Sequence, residues 1–272
     1  MKPPLFSSRE FKQSDTEICV KNVKFGGKRI VIIAGPCTVV DKQELFETAS
    51  QISKSKAAML RGGAFKTRTS PRDFQGLGST ALKLLHEASR AYNLPIVTEI
   101  TDFRDVDLIE KYADMIQIGA RNMQNTALLK AVGESKLPVL LKRGFGNTVS
   151  ELLSAADYIL AQGNKNVVLC ERGIRSFENS TRFSLDILAI PVIKTMSHLP
   201  LIVDPSHAAG NRGLVISASK AAIAAGADGL LIEVTSHPDT ALVDGDQTLT
   251  TDQFQSLMEQ LEVLIPAIGR EV

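Results

Sequence analysis

One thiol, one imidazole and two carboxylates, Cys37, His207, Glu233 and Asp244, are of types that can together hold a metal ion, and they fall at or after the predicted ends of strands one, seven and eight. Such a mixed donor set suits a borderline divalent ion with an open coordination position, Mn²⁺, Fe²⁺, Co²⁺ or Zn²⁺. Each residue also has a plainer reading. Cys37 reads as a buried, inert thiol, Asp204-Pro205 as a turn that His207 fills, and Asp244-Gly245 as a turn dipeptide. A second set is cationic: Arg61, Lys66, Arg68, Arg121, Lys142, Arg143, Arg172 and Arg175. The net charge is only +1, so a local concentration of cations points to a strongly anionic ligand, with room for more than one phosphate. Arg forks match phosphate and carboxylate oxygens, and Lys adds a compact charge. Gly62-Gly63, Gly119, Gly144 and Gly173 would let backbone N–H groups approach phosphate oxygens.

These residues need elements to bring them together, and the apolar runs supply them. Ile30 to Ala34 runs into Gly35-Pro36-Cys37, Ala57 to Leu60 into Arg61, Pro138 to Leu141 into Lys142, and Leu201 to Val203 into Asp204. Continuous apolar runs are typical of buried parallel strands. Strands are predicted over 30–34, 58–62, 95–99, 114–118, 138–142, 166–170, 200–204 and 228–233. Helical periodicity appears over 43–54, 80–92, 150–161, 214–225 and 252–265. Eight strand–helix units predict an α/β fold, a (β/α)8 TIM barrel, whose chemistry sits where the strands end. The alternative is an open doubly wound sheet, and the chain carries no dinucleotide fingerprint that would favour it. Leu94-Pro95, Leu137-Pro138 and Leu199-Pro200 each mark a helix-to-strand crossing, where a missing N–H does little harm. Residues 1–29 are expected to form an N-terminal extension with a small hairpin, Glu17 to Val23 as one arm and Phe25 to Lys28 as the turn. It would cap the bottom of a barrel spanning 30–272.

The remaining features exclude more than they assign. At 272 residues, 44% hydrophobic and 22% charged, the chain can bury a large core and is not expected to be disordered. Its charge balance gives no global pull toward nucleic acid or membrane. There is no apolar signal-like start and no run near the roughly 18 residues of a membrane span. Three cysteines make no secreted disulfide framework, so a cytoplasmic location is expected. His86 and His198 read as structural. The apolar segment Leu185 to Ile193 reads equally as core packing or a subunit interface, and a homo-oligomer, dimer or tetramer, is expected.

Six ordered motifs then resemble one family: Ile33-Ala34-Gly35-Pro36-Cys37, Arg61-Gly62-Gly63-Ala64-Phe65-Lys66, Gly119-Ala120-Arg121-Asn122, Leu141-Lys142-Arg143-Gly144, Cys170-Glu171-Arg172-Gly173-Ile174-Arg175 and Asp204-Pro205-Ser206-His207-Ala208. The chain resembles the 3-deoxy-D-arabino-heptulosonate 7-phosphate (DAHP) synthases, in the subgroup close to 3-deoxy-D-manno-octulosonate 8-phosphate synthase. The resemblance implies a barrel that condenses phosphoenolpyruvate with erythrose 4-phosphate, the first step of the shikimate route. It implies Cys37, His207, Glu233 and Asp244 as ligands of one divalent ion, with Mn²⁺ favoured. It also implies that Arg121, Lys142 and Arg172 hold phosphoenolpyruvate with Arg61 and Lys66 beside them, and that Arg68 and Thr69 contact the aldose phosphate. Lys66 would move a proton, and Glu99 or His207 would assist water. Octulosonate synthases, which use arabinose 5-phosphate, carry Ala-Asn between the equivalent Lys and Arg; here Thr67 alone separates Lys66 from Arg68. Three positions depart from the family pattern: Thr67 where Pro is usual, Thr235 where His is usual (with His237 two residues on), and Phe145 where Met or Leu is common. A reading of another class is a catalytically silent barrel that binds a phosphorylated ligand. The 29 residues ahead of the barrel are too few for a ferredoxin-like regulatory module, so direct feedback inhibition is not expected.

Overall fold

The computed structural model describes residues 4–68 and 70–272. A short hairpin, β1 (Ile18–Val20) and β2 (Val23–Phe25), precedes eight parallel strands: β3 (Val31–Gly35), β4 (Met59–Arg61), β5 (Ile96–Ile100), β6 (Met115–Ile118), β7 (Val139–Lys142), β8 (Val167–Glu171), β9 (Leu201–Val203) and β10 (Gly229–Glu233). These pair in chain order, and β10 pairs with β3 to close a barrel. All eight predicted strands are present, with no boundary displaced by more than one residue. Each predicted proline stands one residue before its strand. It lacks an N–H, but its carbonyl still serves the neighbouring strand: Pro95, Pro138 and Pro200 accept from the amides of Leu60, Ile116 and Leu169 at 2.9, 2.9 and 2.8 Å.

The five predicted helices are α1 (Lys42–Lys54), α2 (Ser79–Tyr92), α5 (Val149–Ala161), α8 (Arg212–Ala224) and α9 (Thr251–Ala267). Side-chain caps explain where several begin. Asp41 accepts from the Glu44 amide, Asn211 from Gly213, and Thr148 with Glu151 and Thr250 with Gln253 form reciprocal boxes. Four further helices escaped the periodicity because they are short: α3 (Val106–Glu110), α4 (Thr126–Glu134), α6 (Ala189–Met196) and α7 (Pro205–Ala209). The apolar segment Leu185 to Ile193 therefore enters a helix only at Ala189. That helix buries Ala189, Ile190 and Ile193, while Leu188, Val192 and Met196 form an exposed row along one side.

Strand alternation divides the core into two layers. Ile32, Ala34, Leu60, Ile96, Leu141, Leu169 and Leu230 face the helices. Val31, Ile33, Met59, Val97, Met115, Leu140, Val168, Cys170, Ile202 and Leu231 fill the barrel interior, together with Ile18, Val20, Val23 and Phe25 of the hairpin. The hairpin thus plugs the end where the strands begin, and each buried apolar side chain contributes about 1.5–3 kcal/mol. Its turn differs from the expected one. The register pairs Val20 with Val23, so the chain reverses at Lys21-Asn22, with Lys21 at φ 51°. Phe25 is a buried strand residue and does not belong to the turn. No helix among the described residues is long and apolar enough to cross a membrane.

The segment before the hairpin docks through His198. Its Nδ1 lies 2.8 Å from Thr16 Oγ1 and its Nε2 2.8 Å from the Phe6 carbonyl. Burial is the main cause of its lowered pKa, outweighing the pull of the Phe6 carbonyl toward the charged form. The folded chain therefore favours the neutral ring, and the unfolded chain takes up a proton first, near its reference value of about 6.5. Stability from this group is present above that pH and is lost as pH falls below it. Thermal unfolding from pH 7.5 to 5.0 should show wild type losing more stability than His198→Gln, the difference opening only below about 6.5; parallel curves would refute the assignment.

Candidate active site

The inward positions that carry apolar residues at the start of each strand carry polar ones at its end. Because side chains alternate with period two, inward Met59 is followed by inward Arg61, Val97 by Glu99, Met115 by Gln117, Leu140 by Lys142, Cys170 by Arg172, Ile202 by Asp204 and Leu231 by Glu233. On β3 the next inward place is Gly35, at φ 144°, where a Cβ would stand 2.2 Å from the Arg61 carbonyl oxygen. Cys37 follows it. The open end of the barrel is thereby lined with charge around a cavity of about 340 Å³.

Cys37, His207, Glu233 and Asp244 are brought together: each offers one ligand atom, and all four atoms lie within 4.8 Å of one another. Cys37 Sγ is 3.1 Å from Asp244 Oδ2, and His207 Nε2 is 3.3 Å from Glu233 Oε1 and 3.9 Å from Asp244 Oδ2. Burial, with the carboxylate of Glu233 beside it, pushes the Cys37 thiol well up. His207 Nδ1 lies 2.7 Å from Asp204 Oδ2, which assigns the Nδ1 proton and leaves the Nε2 lone pair facing the carboxylates. Burial lowers the His207 pKa despite Asp204 and Glu233, in keeping with a neutral ligand imidazole. Glu233 Oε1 is buried and receives no hydrogen bond among the described residues, although Arg61 Nη2 stands 3.3 Å away. An unsatisfied buried acceptor facing an imidazole lone pair fits a cation between them. The turn expected at Asp244-Gly245 is also present, with Asp244 at φ 57°, and it leaves the carboxylate within the donor cluster.

Short helix α7 places His207. Asp204 caps it through the His207 amide at 2.9 Å, Pro205 opens it, and Ser206 Oγ accepts from the Glu233 amide at 3.0 Å. Asp204 is also ion-paired with Lys142. Burial would raise the Asp204 pKa, but His207 and Lys142 hold it well below the usual carboxylate range. One carboxylate thus serves the donor cluster and the cationic wall.

Lys66, Arg68, Glu99, Arg121, Lys142, Arg172 and Arg175 line the cavity. Lys66 Nζ donates to Cys37 Sγ at 2.8 Å. Burial works against its charge, but Cys37, Glu233 and Glu99 hold its pKa above the ordinary lysine value. Glu99 accepts from Gln117 Nε2 at 2.9 Å. Gly119 makes room for that carboxylate, since a Cβ there would stand 2.0 Å from Glu99 Oε1. Arg68 pairs with Asp73 at 3.3 Å. Arg172 is buried with an unsatisfied Nε; the only hydrogen bonds of its side chain among the described residues are two at 3.4 Å to the carbonyls of Gly173 and His207. Burial lowers its pKa to about 10, so it stays charged at neutral pH.

Other expectations change. Arg143 does not face the cavity. It stands one place past inward Lys142, points to the helix layer, and pairs with Glu171 at 2.7 Å and Asp186 at 3.0 Å. Arg61 lies beneath the cavity floor against Glu233. Thr235 is buried and bonded to Glu44, while exposed His237 lies 3.2 Å from Glu47, away from the cavity. Thr69 lies outside the described residues. Gln117, Arg182, Phe183 and Gln247 were missed. Arg182 Nη1 donates to Asp244 Oδ1 at 2.9 Å and Gln247 Oε1 at 2.7 Å, and Gln247 Nε2 donates to Glu233 Oε2 at 2.5 Å. The parity of β6 would have found Gln117, but the polar loop residues carry no such signal.

Comparison with known proteins identifies the family and the fold. Residues 11–267 match the DAHP synthetase I family. The phospho-2-dehydro-3-deoxyheptonate aldolase of Thermotoga maritima is 49% identical over 272 residues, 100% of this chain and 80% of that protein. Its crystal structure superposes with a TM-score of 0.97 over the same shares, and a truncated form of the Thermotoga maritima enzyme with 0.92 at 46% identity, over 98% of both chains. The 2-dehydro-3-deoxyphosphooctonate aldolase of Syntrophotalea carbinolica is more distant, 30% identical over 261 residues, 89% of this chain and 93% of that one. This chain belongs to the DAHP synthetase I family.

Proposed function

We propose that this chain condenses phosphoenolpyruvate with erythrose 4-phosphate, giving DAHP and inorganic phosphate, and that the cavity at the strand ends is where it does so. The carrying observation is Arg172, a buried guanidinium with no carboxylate partner among the described residues, in the cavity that His207 and Asp244 of the four-donor cluster also line. A buried, unpaired cation is costly, and an anionic substrate is the natural partner. Family membership supports the reaction class, a carbon–carbon bond-forming aldol-type transfer.

In this reading Arg121, Lys142 and Arg172 hold the phosphate and carboxylate of phosphoenolpyruvate, and Arg68 with Thr69 holds the aldose phosphate. Their main work is orientation, placing C3 of phosphoenolpyruvate against the aldehyde carbon. Cys37, His207, Glu233 and Asp244 hold one divalent ion, with Mn²⁺ the favoured identity, and that ion supplies Lewis acidity toward the aldehyde. As the C3–C1 bond forms, the aldehyde oxygen gains a proton, which in this reading comes from Lys66 on the cavity wall. Water adds to the cationic C2, its proton going to Glu99, and the hemiketal then loses phosphate by C2–O cleavage. His207 is better spent as a ligand, because Asp204 already holds its Nδ1 proton and its Nε2 faces the donor cluster. The exposed row Leu188, Val192 and Met196 supports a homo-oligomer as the assembly.

Three outcomes follow. In a phosphate-release assay, kcat/KM should be higher with erythrose 4-phosphate than with arabinose 5-phosphate. The basis is the single residue between Lys66 and Arg68, since an added residue would shift the arginine by up to about 3.5 Å; a higher value for the five-carbon sugar would assign the sister reaction. Chelation should abolish phosphate release and Mn²⁺ restore it; full turnover in protein shown by elemental analysis to be metal-free would remove the ion from the mechanism. Asp204→Asn should weaken divalent-metal affinity about tenfold to a hundredfold, measured by competition with a chromophoric chelator. An unchanged affinity would show that His207 needs no orienting partner.

A further inference from the structure

Two large aromatic side chains stand among the charges of the cavity wall, and the reaction as derived uses neither. Phe145 follows β7, and Phe183 lies in the segment between β8 and α6. Their rings are stacked, 5.0 Å between centroids and 10° from parallel. The Arg172 guanidinium carbon lies 4.1 Å from the Phe183 centroid and 4.9 Å from that of Phe145; Arg121 and Arg175 lie 5.3 and 5.6 Å from Phe145. Backbone bonds anchor the main chain of both residues. The Phe145 carbonyl accepts from the Arg175 amide at 2.6 Å, and the Phe183 amide donates to the Ala208 carbonyl at 2.9 Å.

Three like charges around one ring repel each other, and a carboxylate among them would cancel the charge an incoming phosphate needs. An aromatic face attracts a guanidinium through its quadrupole without neutralising it and without occupying its N–H donors. We infer that Phe145 and Phe183 form a positioning clamp that holds Arg172, with Arg121 and Arg175, converged and without a neutralising carboxylate, so that their charge and N–H donors can serve the phosphoryl ligand. This rests on the reading that the cavity binds phosphoenolpyruvate.

The test is calorimetric titration of phosphoenolpyruvate into Mn²⁺-loaded wild type, Phe145→Leu, Phe183→Leu and Phe145→Trp, with folding checked by circular dichroism. The chain has no tryptophan, so Phe145→Trp adds a lone fluorophore at the clamp. Each leucine variant should bind phosphoenolpyruvate roughly tenfold more weakly, while Phe145→Trp, which keeps a π face, stays within about threefold of wild type. The indole emission should change as the ligand arrives. Wild-type affinity in folded leucine variants would overturn the clamp and leave the substrate reading standing; Phe183→Leu decides alone if Phe145→Leu does not fold. Equal losses in Phe145→Trp and Phe145→Leu would assign the effect to shape and overturn it too. Failure of wild type to bind phosphoenolpyruvate would overturn the substrate reading, and the clamp with it.

Discussion

The rest of the site depends on one buried carboxylate, Asp204, shared between Lys142 and His207. Alone, each of these three groups would be hard to keep charged or correctly oriented away from water. Together they let a cation for a substrate anion and an imidazole for a metal stand on neighbouring strands. Removing one member of such a buried set costs about 3–5 kcal/mol, because the others are left uncompensated. Arg61 with Glu233 and Arg143 with Glu171 repeat the arrangement around the ring of strand ends. Buried Arg172 departs from it: it has no carboxylate partner among the described residues, and it faces the cavity.

These ion pairs organise the barrel without being its main source of stability, since apolar replacements of buried pairs are often no less stable. Stability comes from the two apolar layers and from the hairpin that seals the far end with Ile18, Val20, Val23 and Phe25. With one end closed by hydrocarbon, the other is free to be polar, and strand alternation carries each inward row from apolar to charged.

The loops complete what the strands begin. Arg182, between β8 and α6, reaches across to Asp244 and Gln247 after β10, and Gln247 returns to Glu233. Its neighbour Phe183 packs on Phe145 and Arg172. One loop therefore braces the donor cluster with a guanidinium and the cationic wall with a ring, so that both halves of the cavity share a single support.

Much of this was legible in the sequence because it follows from period and position. Eight apolar runs determined eight strands, 3.6-residue periods determined the longer helices, and the residues at strand ends marked Cys37, Arg61, Lys142, Arg172, Asp204 and Glu233 as neighbours in space. Parity along a strand also separates Lys142, facing in, from Arg143, facing out to Glu171; the error over Arg143 came from counting charge without counting parity. The short helices, the Lys21-Asn22 turn, the reach of Arg182 and Gln247, and the outward place of His237 were decided by the tertiary structure alone. Strand and helix geometry is a local, repeating property that one chain segment expresses by itself. Where a loop side chain lands depends on which distant loops the closed barrel sets beside it, and that distance is written in no single stretch of sequence.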